Sequence, residues 1–263
     1  MPEGDTVWRA ARSLDRALAG QLLTDTDFRV PRLATADLAG GRVRQTVSRG
    51  KHLLTHIDHE HHAWTLHTHL KMEGSWHTYQ PHQRWRRPEH EARLVLSTAD
   101  KVVVGFALGI VELLPRGEEH RVVGHLGPDL LGPDWDEDEA LRRLSRDPDR
   151  PVVDALLDQT NLAGIGNMYA AELCFTSGVH PLAPVGSVRD LRRLVRRARL
   201  MLDQNKSRAT QTTTGNLRDG ERLWVYRRDR QPCRRCGTPV HVAMRGEPGR
   251  ERASYWCPSC QPG

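Results

Sequence analysis

Apolar positions along the chain change period twice, and the changes divide it. Val7, Ala10, Ala11, Leu14 and Leu18 recur at helical spacing before Gly20, so residues 5–19 are expected to form an amphipathic helix that starts almost at the N-terminus. From about Leu22 to Leu114 the pattern becomes short β-like runs: Arg42–Val47, Leu53–Ile57, Ala63–Leu70, Arg93–Ser97 and Val102–Phe106. Gly, Pro, Asp and His clusters separate them at intervals that suit a sandwich or barrel. The run Val102–Leu114 is too short to span a bilayer and suits a buried strand. After a Gly/Pro/Asp-rich stretch, Gly124–Asp136, the period is helical again. Asp136 is placed to cap a helix through Leu141 and Leu144, and Pro151 to open one over Val152–Leu157. A third helix runs from Asn167 to a glycine stop at Gly178. A fourth carries Val188, Leu191, Val195, Ala198 and Leu202 on one stripe, with Arg192, Arg193, Arg196, Arg197 and Arg199 mostly on the opposite, solvated face. The polar, unpatterned segment Asn205–Gly220 reads as a long loop.

This pattern sets the expected organisation: an N-terminal β domain (1–123), a linker (124–136), a helical domain (137–222) and a C-terminal module (223–263). With 38% hydrophobic and 27% charged residues, the composition is that of a globular protein rather than a disordered or membrane-embedded one. The N-terminus lacks the apolar core of a secretory signal, so a cytoplasmic location is expected. Charge is distributed unevenly. From Arg189 onward there are 18 Lys and Arg against 7 Asp and Glu, so the formal +6 of the whole chain comes entirely from its last third. A basic region of this kind suits a polyanionic partner, through release of condensed counterions.

Chemistry-bearing residues fall in three places. Cys233, Cys236, Cys257 and Cys260 form two Cys-x2-Cys pairs 20 residues apart, the pattern of a structural four-thiolate zinc site. The metal would supply folding energy to a C-terminal segment poor in apolar residues. The hairpin expected between the pairs carries Arg245, Arg250 and Arg252, which suits a finger that touches nucleic acid. Cys174, alone in an apolar helix, is expected to be a small core residue. The histidines His56, His59, His61, His62, His67 and His69 suit a polar, solvent-facing sheet edge better than a metal site, because no acidic or cysteine partner recurs with them. At the N-terminus, removal of Met1 would expose the secondary amine of Pro2. An α-amine is more often unprotonated at pH 7 than a lysine and can attack an aldehyde-level carbon to form an iminium, with Glu3 beside it as acid or base.

Four segments in register, MPEG at 1–4, RGKHLLTH at 49–56, LLDQTNLAGIGNMYAAEL at 156–173 and CRRC…RASYWCPSC at 233–260, resemble the formamidopyrimidine-DNA glycosylase/endonuclease VIII family over essentially the whole chain. The resemblance implies an α+β fold: an N-terminal β-sandwich with a leading helix, then a helix–two-turns–helix domain and a four-cysteine zinc finger. It implies a monomeric bifunctional DNA glycosylase/abasic-site lyase acting on double-stranded DNA with damaged bases or abasic sites, the lesion being flipped into a basic cleft between the domains. Pro2 is then the nucleophile, Glu3 the acid/base residue and Lys51 the lysine that contacts phosphate. Gly166 and Asn167 meet the backbone near the lesion, and Arg252 grips the phosphates flanking the flipped nucleotide. Met72 stands where a relative inserts an apolar wedge into the duplex. Two departures qualify the resemblance. Thr6 stands where relatives commonly carry a glutamate, with Asp5 the nearest substitute. Phe106–Ile110 also lacks the Arg and Phe with which formamidopyrimidine-type members fill the void, which points to the endonuclease VIII branch and oxidised pyrimidines. Two other functions fit the same scaffold: an abasic-site lyase with little glycosylase activity, and a non-catalytic zinc-containing DNA-damage-binding protein.

Overall fold

The computed structural model describes residues 2–249 and 251–263 and divides into two compact units, residues 1–125 and 126–263. In the first unit, helix α1 (Gly4–Leu18) is followed by strands β1 (Asp25–Phe28), β2 (Arg42–Arg49), β3 (His52–His59), β4 (His62–His69), β5 (Ser75–Tyr79), β6 (Ala92–Ser97), β7 (Val102–Phe106) and β8 (Ile110–Pro115), and by the short helix α2 (His120–Val123). The strands form two four-stranded antiparallel sheets, in the orders β1-β6-β7-β5 and β2-β3-β4-β8. Strand alternation turns Leu53, Ile57 and Leu66 of one sheet toward Leu94, Leu96 and Val103 of the other. Val7, Ala11, Leu14 and Leu18 of α1 join the same buried cluster, as their helical spacing requires. This is the expected sandwich with its leading helix. The Asp15 carboxylate accepts the Thr46 N–H at 2.8 Å, which fixes α1 along β2.

The apolar run 102–114 is not one strand. It is β7 and β8, which belong to different sheets and are joined by a sharp turn in which Ala107 takes a φ of +46°. Apolar content predicts burial but carries no signal for where a chain crosses between layers. Strands β1 and β5 were not singled out either, because their polar alternation is too short to stand out.

The second unit contains α3 (Glu137–Leu144), α4 (Val152–Leu157), α5 (Asn167–Ser177), α6 (Leu191–Asn205) and a terminal hairpin, β9 (His241–Arg245) with β10 (Arg252–Trp256). Asp136 and Asp190 cap α3 and α6 by accepting the Glu139 and Arg193 N–H groups, and Gly178 ends α5 in the left-handed conformation. Leu130, Leu156, Leu162, Phe175, Val195 and Leu202 belong to one core, and buried Cys174 is among them, its thiol pushed up to about 12 by burial. The 124–136 stretch is more than a connector: Leu126, Asp129 and Leu130 are buried in this unit, because the turn-forming residues around them fold the chain back onto the core. Helix α6 begins at Leu191, one turn later than its apolar stripe implies, with Val188 in the preceding turn. Its arginine face is not simply solvated either: Arg192 and Arg196 pair with Glu137 and Asp138 of α3. Among the described residues, no helix is long and apolar enough to cross a membrane.

Candidate active site and metal centre

In the first unit, Pro2 is half-exposed and stands one residue before the N-cap of α1. Glu3 is the helix N-cap, in extended conformation, and is fully buried; its carbonyl accepts the Val7 N–H at 3.0 Å. Asp5 is buried in the first turn, and Thr6 is half-buried. Two acidic side chains at a helix N-terminus are favoured by the helix dipole, which offsets part of the cost of burying them. For the one departure in the N-terminal motif, Thr6, buried Asp5 keeps a carboxylate within the same turn.

Lys51 lies at the tip of a two-residue hairpin. Arg49 pairs with His52 at the end of the β2–β3 ladder, which leaves Gly50 and Lys51 as the turn. Gly50 has a φ of +56°, which the mirror-image turns that match strand twist require at the first central position. Two long strands thus hold the lysine at one defined place. Met72 projects from the turn after β4, 58% exposed, the carbonyl of Leu70 accepting the Gly74 N–H at 2.9 Å. A Cβ on Gly74 would sit 2.4 Å from that carbonyl, so only glycine closes this turn. Lys71 beside it holds a φ of +51°, a strained conformation for a lysine.

In the second unit, Gly164 (φ +114°) and extended Gly166 lead into α5, whose first residue is Asn167. The Gln159 carboxamide holds this loop by donating to the carbonyls of Leu157 and Ile165 and accepting the Gly164 N–H. Asn167 is largely buried, and its Nδ2 donates to the Ala253 carbonyl at 2.8 Å. One N–H of the side chain expected to meet phosphate is thus committed to β10, next to Arg252. Arg252 is exposed and lies opposite Arg245 in the hairpin. The two arginines differ sharply in environment: Arg245 is held by Ser254 Oγ and by Asp154 at 2.8 Å, whereas Arg252 faces solvent. Arg250 lies outside the described residues.

The four terminal cysteines come together. All four Sγ atoms lie within 4.8 Å of one another, with separations of 3.9 Å (Cys233–Cys260), 3.4 Å (Cys236–Cys257) and 3.5 Å (Cys236–Cys260). A tetrahedral ion with arms of about 2.3 Å needs sulfurs about 3.8 Å apart, so the cluster could hold a metal ion. Gln261 braces it: its Oε1 accepts the Cys257 N–H, and its Nε2 donates to the Val179 carbonyl.

Sequence reasoning missed two groups. Glu172 is fully buried in α5, where its carboxylate accepts the N–H groups of Trp224, Val225 and Tyr226 at 2.7–2.9 Å together with the Thr213 hydroxyl. Burial raises its pKa against those four bonds. It ties the 212–226 segment to α5, and the only signal was a lone carboxylate inside the apolar run of NMYAAELCF. The second group is the histidines. His67 is buried in β4, an interior strand, not on a solvent-facing edge. Its Nδ1 is 2.9 Å from Glu112 and its Nε2 is 2.8 Å from His52 Nδ1, so the acidic partner absent in sequence comes from β8 across the sheet.

Fold and constellation together define a two-unit DNA-repair-type scaffold with an N-terminal imino-acid motif and a four-thiolate knuckle. The family models for the formamidopyrimidine-DNA glycosylase N-terminal domain and its H2TH domain match residues 1–107 and 126–225. The chain is 54% identical to the probable endonuclease 8 2 of Streptomyces coelicolor, covering 100% of this chain and 95% of that one. It is 50% identical to the DNA-(apurinic or apyrimidinic site) lyase Nei2 of Mycolicibacterium smegmatis, covering 99% of each. In fold it is similar to Lactococcus lactis Fpg solved with oxidised-pyrimidine DNA (22% identity, TM-score 0.82, 100% of each chain) and with abasic-site DNA (22%, TM-score 0.81, 99% and 100%). The chain belongs to the formamidopyrimidine-DNA glycosylase/endonuclease VIII family.

Proposed function

We propose that this chain is a bifunctional DNA glycosylase/abasic-site lyase of base excision repair, acting on double-stranded DNA and preferring oxidised pyrimidines. The observation that carries the proposal is the Pro2–Glu3 pair at the head of α1, in a chain matched end to end by relatives named endonuclease 8 and abasic-site lyase. Binding alone needs neither Pro2, Glu3 nor Lys51, which argues against a purely DNA-binding protein.

In this mechanism Met1 is removed and the Pro2 nitrogen attacks the sugar C1′. The N–C1′ bond forms, the glycosidic bond breaks and the damaged base leaves with a proton, while Glu3 assists ring opening by proton transfer at the sugar oxygen. The resulting iminium draws electrons from C2′. Loss of the C2′ proton and cleavage of the C3′–O bond follow, and water then releases the enzyme. Lys51 holds phosphate at its hairpin tip, while Arg252, with Gly166 and Asn167, fixes the strand beside the lesion. Met72 fills the void left by the flipped nucleotide; its exposure on a turn that only glycine at 74 closes supports this role. Residues 1–123 carry the chemistry, 124–136 lead into the second unit and add Leu126 and Leu130 to its buried residues, 137–222 and 223–263 bind DNA, and the protein works in the cytoplasm at the nucleoid. Cys233, Cys236, Cys257 and Cys260 hold one structural Zn2+, which supplies folding energy and leaves no open position for substrate.

A second reading is an abasic-site lyase with little glycosylase activity, favoured by the name of the Mycolicibacterium relative. Borohydride trapping on duplexes containing an oxidised pyrimidine, 8-oxoguanine or an abasic site separates the two. The proposal expects an adduct with the oxidised pyrimidine that disappears in Pro2→Gly. An adduct with the abasic site alone selects the lyase, and the absence of any adduct despite salt-sensitive binding rejects both.

A further inference from the structure

The outer face of the β2-β3-β4-β8 sheet, opposite the sandwich core, carries a layer of polar groups that the proposed chemistry does not use. Within it, Glu112 of β8, His67 of β4 and His52 of β3 are joined in series, with 2.9 Å from Glu112 Oε2 to His67 Nδ1 and 2.8 Å from His67 Nε2 to His52 Nδ1. The string crosses three adjacent strands and ends at the residue after Lys51. Other groups face it from every side. His69 lies edge-on to His52, His125 approaches its ring from the end of the unit, and the ammonium groups of Lys71 and Lys51 are close enough to depress the histidines electrostatically.

The order of donors along the string follows from chemistry. A carboxylate only accepts, so His67 Nδ1 carries the proton given to Glu112. Neutral His67 is then a lone-pair acceptor at Nε2, and His52 must donate from Nδ1. Neutral His52 in turn is left with a lone pair at Nε2. Burial and the neighbouring positive charges hold His52 down at about 3 and His69 at about 4, so both stay neutral at working pH. One carboxylate on β8 thereby fixes the tautomer of an imidazole two strands away.

We infer that Glu112, His67 and His52 form a positioning relay that presents a fixed hydrogen-bond acceptor, His52 Nε2, at the Lys51 end of the β2–β3 hairpin. None of the three touches the reacting atoms. A neutral imidazole adds no positive charge beside Lys71 and Lys51, whose charges reach His52 and His69, so the lysine at the hairpin tip remains the cation offered to a phosphate. This inference rests on the assignment of Lys51 to the reaction.

The test uses full-length, metal-loaded protein with 15N-labelled histidine. In the wild type, the imidazole spectrum at pH 7 is expected to show His67 and His52 both protonated at Nδ1 and bare at Nε2. The isosteric variant Glu112→Gln keeps the packing but can donate as well as accept, so the string loses its fixed polarity. Single-turnover cleavage of an abasic duplex should fall about tenfold, in the range seen when an outer-shell hydrogen-bond partner is lost. DNA affinity should change far less than the rate, and a second tautomer of His52 should appear. Glu112→Asp, which still only accepts, should recover most of the rate. His52 protonated at Nε2 in the wild type, or a wild-type rate in Glu112→Gln, would overturn the relay. Lys51→Ala, run alongside, separates the two claims. If Lys51→Ala cleaves at the wild-type rate, the assignment of Lys51 fails; if it is inactive while Glu112→Gln is not impaired, only the relay fails.

Discussion

The molecule holds two dense clusters of side chains of the kind that ligate metals, and they are built on opposite principles. The Cys233/Cys236/Cys257/Cys260 cluster draws its ligands from two short turns, and its four sulfurs lie within 4.8 Å of one another. The His52/His67/His69/His125 cluster draws its rings from two strands and a chain segment, and two of its nitrogens face each other at 2.8 Å. A 2.8 Å nitrogen pair shares a proton and leaves no room for an ion between. Among the described residues, only the cysteines form a metal-type group. Two-residue spacing in a turn converges ligands on a point, whereas alternation on strands spreads them over a surface. The first cluster suits an ion, the second a chain of hydrogen bonds.

The largest expected effect tests the first half of that contrast. If the cysteines hold the proposed zinc, its affinity is folding free energy, so Cys257→Ser, or treatment with a strong chelator, should release one equivalent of zinc, melt the terminal hairpin and abolish DNA binding. A variant that stays folded and binds DNA after losing the metal would show that the knuckle does not need it. Next, His67→Ala removes a buried side chain and leaves the half-exposed Glu112 and His52 without their shared partner. A loss of about 2–3 kcal/mol is expected in chemical denaturation at pH 7, with no change in zinc content. Zinc loss in this variant would mean that the histidines hold metal after all.

A smaller effect is pH-dependent. His52 and His69 titrate lower in the fold than in the unfolded chain, where they titrate near 6.5. Between those limits the unfolded chain binds more protons, so acid favours unfolding. Stability should be flat above about pH 6.5 and should fall as the pH is lowered toward 4. The slope is below about 1.4 kcal/mol per pH unit per group, since partial solvent access screens both rings. The double variant His52→Asn/His69→Asn should lose this part of the slope while keeping the part that comes from zinc release. An unchanged slope would remove the histidines from the acid response. The smallest effect concerns the arginine face of α6: Arg192→Ala should leave the midpoint of thermal denaturation essentially unchanged, because its partners Glu137 and Asp138 are reached at the surface.

How much of this was legible in the sequence depended on whether the information is local. Helix α1, the ends of α4 and α5, and the cysteine knuckle were read almost to the residue, because a period, a cap or a two-residue spacing is contained within a few positions. The hairpin that carries Lys51 was legible from Gly50 between two β-like runs. The histidine string was not, because His52, His67 and Glu112 become neighbours only through the pairing of β3 with β4 and β4 with β8. The same holds for the bond from Asn167 to Ala253, which spans 86 residues of sequence, and for Glu172, whose partners lie more than 40 residues away. The division of Val102–Leu114 between two sheets was hidden for a related reason: hydrophobicity reports burial without saying in which layer.

The central claim is that the N-terminal imino group forms the covalent bond to DNA, and peptide mapping of the borohydride-trapped complex tests it most directly. The account predicts that mass spectrometry of the digested adduct finds the sugar remnant on a peptide that begins at Pro2 and lacks Met1. An adduct on Lys51 or another lysine, or one on a protein that retains Met1, would contradict it.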